Sequence, residues 1–198
     1  MKFFPIALAG LLLVAMPLRA DEVTENLDRA REAYGKGNLA STAEELGFAL
    51  AAVGKLRQQQ YAALFPKPPS GWTLAEMQDD GGQGALAAQL MGGGVIVERD
   101  YTQENGEGRI TAKLVVDSPL VQAMGSMVSN PAMMPPHTRR VRLGSDNAMV
   151  KQEPGSQEVE LTLVKGNAML QLEGEGIDKP ELLVELARGF DLSKVQRR

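Results

Sequence analysis

Across residues 95–117, apolar and polar side chains alternate on both sides of Asn105-Gly106, a dipeptide favoured in two-residue hairpin turns. A turn of that length sets Val97 opposite Leu114, Val95 opposite Val116 and Tyr101 opposite Ile110 on one face, with Glu98 opposite Lys113 on the other. One register satisfies both faces, which predicts a sheet with one buried side. The logic recurs downstream: a turn at Gly155-Ser156 pairs Val150 with Leu161 and Lys151 with Glu160, and one at Gly166-Asn167 pairs Leu163 with Leu170 and Leu161 with Leu172. Two more strands are expected, at 72–77 and at 139–143, the latter with Val141 and Leu143 facing alike.

Elsewhere the period is helical. Val23, Leu27, Ala30 and Tyr34 recur at three and four residues, as do Leu46, Leu50, Val53 and Leu56, and the two runs are separated by Gly35-Lys36-Gly37-Asn38. This predicts a helical hairpin over 21–65, closed by a proline-rich linker at 66–71 that cannot continue a helix. A further helix should start at Ser118-Pro119, a capping residue followed by a first-turn proline, and carry Leu120, Val121, Met124, Met127 and Val128 on one face. In that face Gly125 would admit a close neighbour, while Ala85–Met91 has the composition for two helical turns between glycines. Before the last helix, Asp178 and Glu181 have capping-box spacing, with Ile177 and Leu182 placed as a hydrophobic staple. The expected class is α+β: an N-terminal helical hairpin, then over 72–198 one antiparallel sheet with helices packed on one face.

Two resemblances follow from these residues. Ala30, Ala33, Tyr34, Gly37, Asn38, Leu39, Leu46, Ala49 and Leu50 fall at the spacing of a tetratricopeptide repeat, which the hairpin resembles; it departs from the repeat at Thr42, usually a small alanine, and lacks the closing proline. Only about one repeat is present, and such repeats stack to bury a core, so a lone hairpin must dock on the following domain or on a partner. From Pro68-Pro69-Ser70-Gly71-Trp72 onward, the element order resembles the PsbP-like fold of small exported proteins, which includes the photosystem II extrinsic subunit, a mycobacterial lipoprotein group and DcrB-type periplasmic proteins. The resemblance is topological, covers about 71–198 and has no catalytic signature; it implies an accessory or interaction role.

The first twenty residues change the picture of where the protein works. Lys2 gives a positive start, 3–16 is almost wholly apolar, and Leu18-Arg19-Ala20 has small-residue cleavage spacing, so 1–20 reads as a signal peptide with Asp21 as the mature start. The apolar run is short of the roughly 20 residues a membrane anchor needs. Export to a Gram-negative periplasm is expected, with full secretion as the alternative and no transmembrane segment in the mature chain. Cysteine is absent, which removes both a lipid-anchor thiol and a disulfide framework. Removal of Lys2 and Arg19 leaves 19 basic against 25 acidic side chains, an acidic balance that argues against nucleic acid as a partner. Frequent glycine with few aromatics marks a turn-rich sheet protein.

Candidate chemistry is sparse. His137 is the single histidine, so neither a triad nor a two-histidine metal site can be built from this chain. With Met133 and Met134 it forms a soft cluster suited to cuprous ion, against which stands the commoner use of methionine as a gap filler. Glu98, Asp100, Glu104 and Glu107 follow one hairpin and read as a solvated face rather than a hydrolase pair. The 79–83 run lacks the alternating ligands of a calcium loop, and Gly92-Gly93-Gly94 precedes a strand, without the lysine of a phosphate loop. Arg99 falls on the apolar phase of Val97 and Tyr101, either snorkelling or awaiting an anion. Arg139, Arg140 and Arg142 make a basic strand that could meet an acidic partner or be neutralised by Glu158 and Glu160. These four arginines and Trp72 are the candidate contact residues. The expected function is an exported, non-enzymatic accessory or protein-interaction protein without a cofactor, its partner another exported or envelope protein, with the hairpin and the loops at 81–94 and 131–138 as contact surfaces. The alternative is a carrier holding a small apolar ligand between the sheet and the methionine-bearing helix.

Overall fold

The computed structural model describes residues 21–77, 93–130, 132 and 134–195. The leader at 1–20, the two turns expected at 85–91, the 79–83 run, most of the 81–94 loop and Met133 lie outside them. By contacts the chain divides between Ala49 and Leu50, rather than at the proline-rich stretch.

The first unit holds α1 (Glu22–Gly35) and the start of α2 (Leu39–Ala62). Asp21 caps α1 by accepting from the Thr24 amide at 2.9 Å. The turn is made by Gly37, whose φ of +72° suits a residue without a Cβ, and Asn38 then caps α2 by accepting from the Ser41 amide at 3.1 Å. The seam between the helices is built from small residues: Ala30 and Ala49 are buried there, as is Asn26, which accepts from Arg29. Arg29 also pairs with Glu45 at 2.9 Å. Because small residues make the contact, the large ones are left outside. Leu27, Tyr34 and Leu46 are exposed, where the periodicity predicted packed faces, and Leu39 and Phe48 are exposed as well.

The second unit contains a seven-stranded antiparallel sheet: β1 (Trp72–Leu74), β2 (Val95–Gln103), β3 (Arg109–Val116), β4 (Thr138–Leu143), β5 (Asp146–Lys151), β6 (Val159–Lys165) and β7 (Ala168–Glu175), in the spatial order β1-β2-β3-β7-β6-β5-β4. The α+β class and the single antiparallel sheet are as expected. All three expected registers are present: Val97 faces Leu114 and Glu98 faces Lys113, Val150 faces Leu161, and Leu163 faces Leu170. The turns differ more than the ladders. Gly166 at φ +59° opens a true two-residue turn, whereas the ladder around Asn105-Gly106 closes at Gln103 and Gly108, leaving a four-residue loop with neither central residue at positive φ. A Cβ at Gly106 would lie 2.4 Å from the tip of the exposed Gln103 side chain, which would have to swing aside. A further hairpin, β4–β5, turns at Gly144-Ser145.

Alternate strand residues point to opposite faces, and both faces carry helices. One face presents Leu114, Ile110, Leu161, Leu170 and Leu172 to the C-terminal part of α2, to α4 (Glu181–Arg188) and to a final 3-10 turn (Leu192–Val195). The other is mostly polar but has one apolar row running across four strands, Ile96–Val115–Met169–Val164. Onto this row packs α3 (Pro119–Ser129), through Val121 and Met124. Thus α3 does not share the face of the other helices, as the alternation had implied, because that row breaks the polar phase and demands its own cover. Ser118 and Pro119 start α3 as expected, but Leu120 is exposed. A Cβ at Gly125 would meet the Val164 side chain at an ordinary 3.6 Å, so no backbone approach depends on it. The capping box does not form: Asp178 accepts from Gln157, and α4 begins at Glu181 with no side-chain cap.

The proline-rich stretch is part of this core. Phe65 meets Phe190 edge-to-face at 5.1 Å, the Tyr101 hydroxyl donates to the Pro66 carbonyl at 2.9 Å, and Gly189 leaves room for the Pro66 ring. Burial pushes the Tyr101 hydroxyl well above the usual phenol range, so it stays a donor.

Candidate functional site

Trp72, a candidate for contact, is buried; its indole lies over Gly108, where a Cβ would come within 2.9 Å of the ring. It roofs the sheet's end and is not a surface residue. Arg99 is half-buried and pairs with no carboxylate among the described residues. Its guanidinium donates twice to the Ala75 carbonyl, at 3.2 and 2.6 Å, and lies 6.0 Å from the Phe65 ring. Since Ala75 in turn donates to the Asp100 carbonyl, Arg99 extends the short β1 pairing by side-chain bonds.

The three arginines of β4 part company. Arg139, on the core face opposite Val150, reaches Glu181 at 3.3 Å. Arg140 and Arg142, on the other face, donate to carbonyls only: Arg140 to Val128 at 3.1 Å and Arg142 to Gly144 at 3.3 Å. Neutralisation by Glu158 and Glu160 does not occur, because Glu160 takes Lys151 at 3.3 Å and Glu158 lies before β6 begins. His137 is exposed at a φ of +58°, Met134 is half-buried, and Met133, the third member of the soft-ligand cluster, lies outside the described residues. Among the described residues no three His, Asp or Glu side chains converge as a metal cage would require.

The periodicity gave no hint of the node at Asp117. This residue ends β3 with a φ of +56°, a left-handed conformation that costs an ordinary residue about 1–2 kcal/mol. It is held there from two sides. Arg57 of α2 pairs with one carboxylate oxygen at 2.5 Å, the Asn167 amide donates to the other, and the Asp117 backbone N–H donates to the Asn167 carbonyl at 2.9 Å. Arg57 also lies 5.7 Å from the Tyr61 ring, and Gln58 donates to the Ile96 carbonyl at 3.4 Å. Burial works against the Arg57 charge, but the bonds to Tyr61 and Asp117 outweigh it and hold the guanidinium firmly protonated. The node joins α2 to the turn between β6 and β7. Beside it runs a groove of about 180 Å³, lined by Leu50, Val53, Arg57, Gly93, Gly94 and Val95. Gly94, at φ +106° with a Cβ position only 2.7 Å from the Val116 carbonyl, can be nothing but glycine. A clue was present in Asp117 itself, since aspartate tolerates positive φ better than most residues.

Next to α3 there is an open depression of about 480 Å³ bordered by Gln122, Gly125, Ser126 and Val164. Val121 borders it and also packs against Val115 and Met169.

Compared with known proteins, the chain matches no family model, no curated protein and no solved structure. No described helix is long and apolar enough to cross a membrane.

Proposed function

We propose that this is an exported, non-enzymatic interaction protein whose helical pair receives an apolar surface of another envelope protein. The observation that carries this reading is the exposure of Leu39 at 67% and Leu46 at 44%, seven residues apart and so on one face of α2, with Tyr34 at 67% near the end of α1. Scattered exposed leucines are ordinary, but a cluster of large apolar side chains on a stable element marks a contact surface. A single tetratricopeptide-like hairpin lacks the neighbouring repeats that would cover this surface, so a partner supplies the cover. The leader-like pattern at 1–20 supports export, and the resemblance to PsbP-like proteins points to the same accessory role.

The test is a comparison of two chains produced with their own leader. Mild crosslinking of the wild type in its host should recover a defined envelope protein, and the double variant Leu39→Glu/Leu46→Glu should lose that protein while keeping its melting temperature. Recovery of the same proteins by both chains would refute the reading. Intact mass of the exported protein should correspond to a start at Asp21; a mass that includes residues 1–20 would refute cleavage.

A further inference from the structure

β4 is the terminal strand of the sheet, so one row of its backbone groups meets no strand. The hairpins decide which row. The His137 carbonyl accepts from the Gln152 amide at 3.2 Å, and the ladder continues in the same register to Leu143 opposite Asp146. Bonded and non-bonded pairs alternate in an antiparallel ladder, so residues 139, 141 and 143 bond to β5. Thr138, Arg140 and Arg142 therefore turn their N–H and C=O groups outward. Two of these three are the arginines that have carbonyl partners and no carboxylate within ion-pair distance among the described residues. Each guanidinium carries five donors, and one hydrogen bond apiece leaves most of the fork available.

We infer that β4 takes an eighth strand from an acidic partner: an extended segment running antiparallel, with two carboxylates separated by one apolar residue. The residues opposite Arg140 and Arg142 would stand in bonded pairs, with side chains on the same face as the guanidiniums and at cross-strand distance, where opposite charges attract. The residue between them would lie beside Val141, which packs against the core on the other face. Arg139 takes no part, because Glu181 already occupies it. A second copy is a poor occupant, since arginines would meet arginines. In a chain of net charge −4 the attraction for an acidic partner is concentrated at this edge, which fixes orientation. This surface does not depend on the helical pair.

The probe is a fluorescein-labelled octapeptide with glutamate–valine–glutamate at its centre and threonines outside, titrated into the full chain at low ionic strength with anisotropy as the readout. Saturable binding is expected. Arg140→Glu and Arg142→Glu should each weaken it at least about tenfold and Arg139→Glu less than about twofold. N-methylation of the two glutamates, which removes the ladder donors, should abolish binding, whereas N-methylation of the central valine should leave it nearly unchanged. These peptide changes need no altered protein, so misfolding of a variant cannot obscure the result. Absence of binding at about 1 mM peptide, or equal binding by all three backbones, would overturn the proposal; the latter would mean loose attraction between charges without an added strand.

Discussion

Leu170 and Leu46 are the same side chain in opposite circumstances. Leu170, at the centre of the sheet, is fully buried between Leu114 and Leu163; Leu46, on α2, is 44% exposed. Both sit on a clean apolar period. The difference teaches that periodicity reports amphipathicity, while burial also requires a second surface. In the sheet, each strand's apolar phase meets α2, α4 or the 3-10 turn on one face, and the stray row through Val115 meets α3 on the other. In the helical pair, Ala30 and Ala49 are the apolar side chains buried among the described residues of that unit.

The strongest way to break this comparison is Leu170→Ala. It should cost about 2–5 kcal/mol of stability, the usual range for a buried leucine, whereas Leu46→Ala should cost under about 0.5 kcal/mol; equal effects in denaturant titrations would show that the helical leucine is covered after all. Gly94→Ala should lose about 1–3 kcal/mol, because it forces an ordinary residue to positive φ against a carbonyl. Arg57→Ala probes whether the C-terminal part of α2 belongs energetically to the sheet. Removing the Arg57 partner of the half-buried Asp117 should cost about 1–2 kcal/mol, read as a lower denaturation midpoint.

A smaller effect is expected from acid. Burial disfavours the Asp100 carboxylate, but bonds from Arg109 at 2.6 Å and Thr111 at 2.8 Å outweigh this and hold its pKa below the ordinary value. A depressed carboxyl stabilises the fold above the unfolded value of about 3.9 and ceases to do so as pH falls through the folded value. Asp100→Asn should therefore lose less stability than the wild type between about pH 4 and pH 2. Parallel acid limbs in the two proteins would count against the Arg109–Asp100 pair.

The ladders were legible because each register had to satisfy two faces at once, as with Val97–Leu114 and Glu98–Lys113. Turn geometry was less so: Asn105-Gly106 carries the signal of a two-residue turn, yet the ladder closes at Gln103 and Gly108 with neither central residue at positive φ, and a four-residue connection results. The placement of α3 was present in the pattern, in four apolar residues on the polar phase that only a known strand order brings into one row. The Asp117 node was not legible, since it joins α2, the end of β3 and the turn after β6 through contacts with no sequence period. Among the candidate contacts, three arginines that read alike separate into one neutralised and two facing carbonyls, because alternate positions on an edge strand see different neighbours.

The strand order also bears on how fast the protein folds. Every strand pairing but one joins neighbours in sequence; the exception is β3 with β7, between which the chain makes α3 and the whole β4–β5–β6 meander. Local hairpins close within microseconds, whereas a distant pairing waits on the entropy of bringing its ends together. The two meanders should thus form early and equilibrate as separate pieces, with their joining along Leu114–Leu170 as the rate-limiting event. Truncation at that seam should slow refolding, and truncation at Val141 in β4 should chiefly hasten unfolding. If both acted only on unfolding in a chevron analysis, the barrier would lie elsewhere.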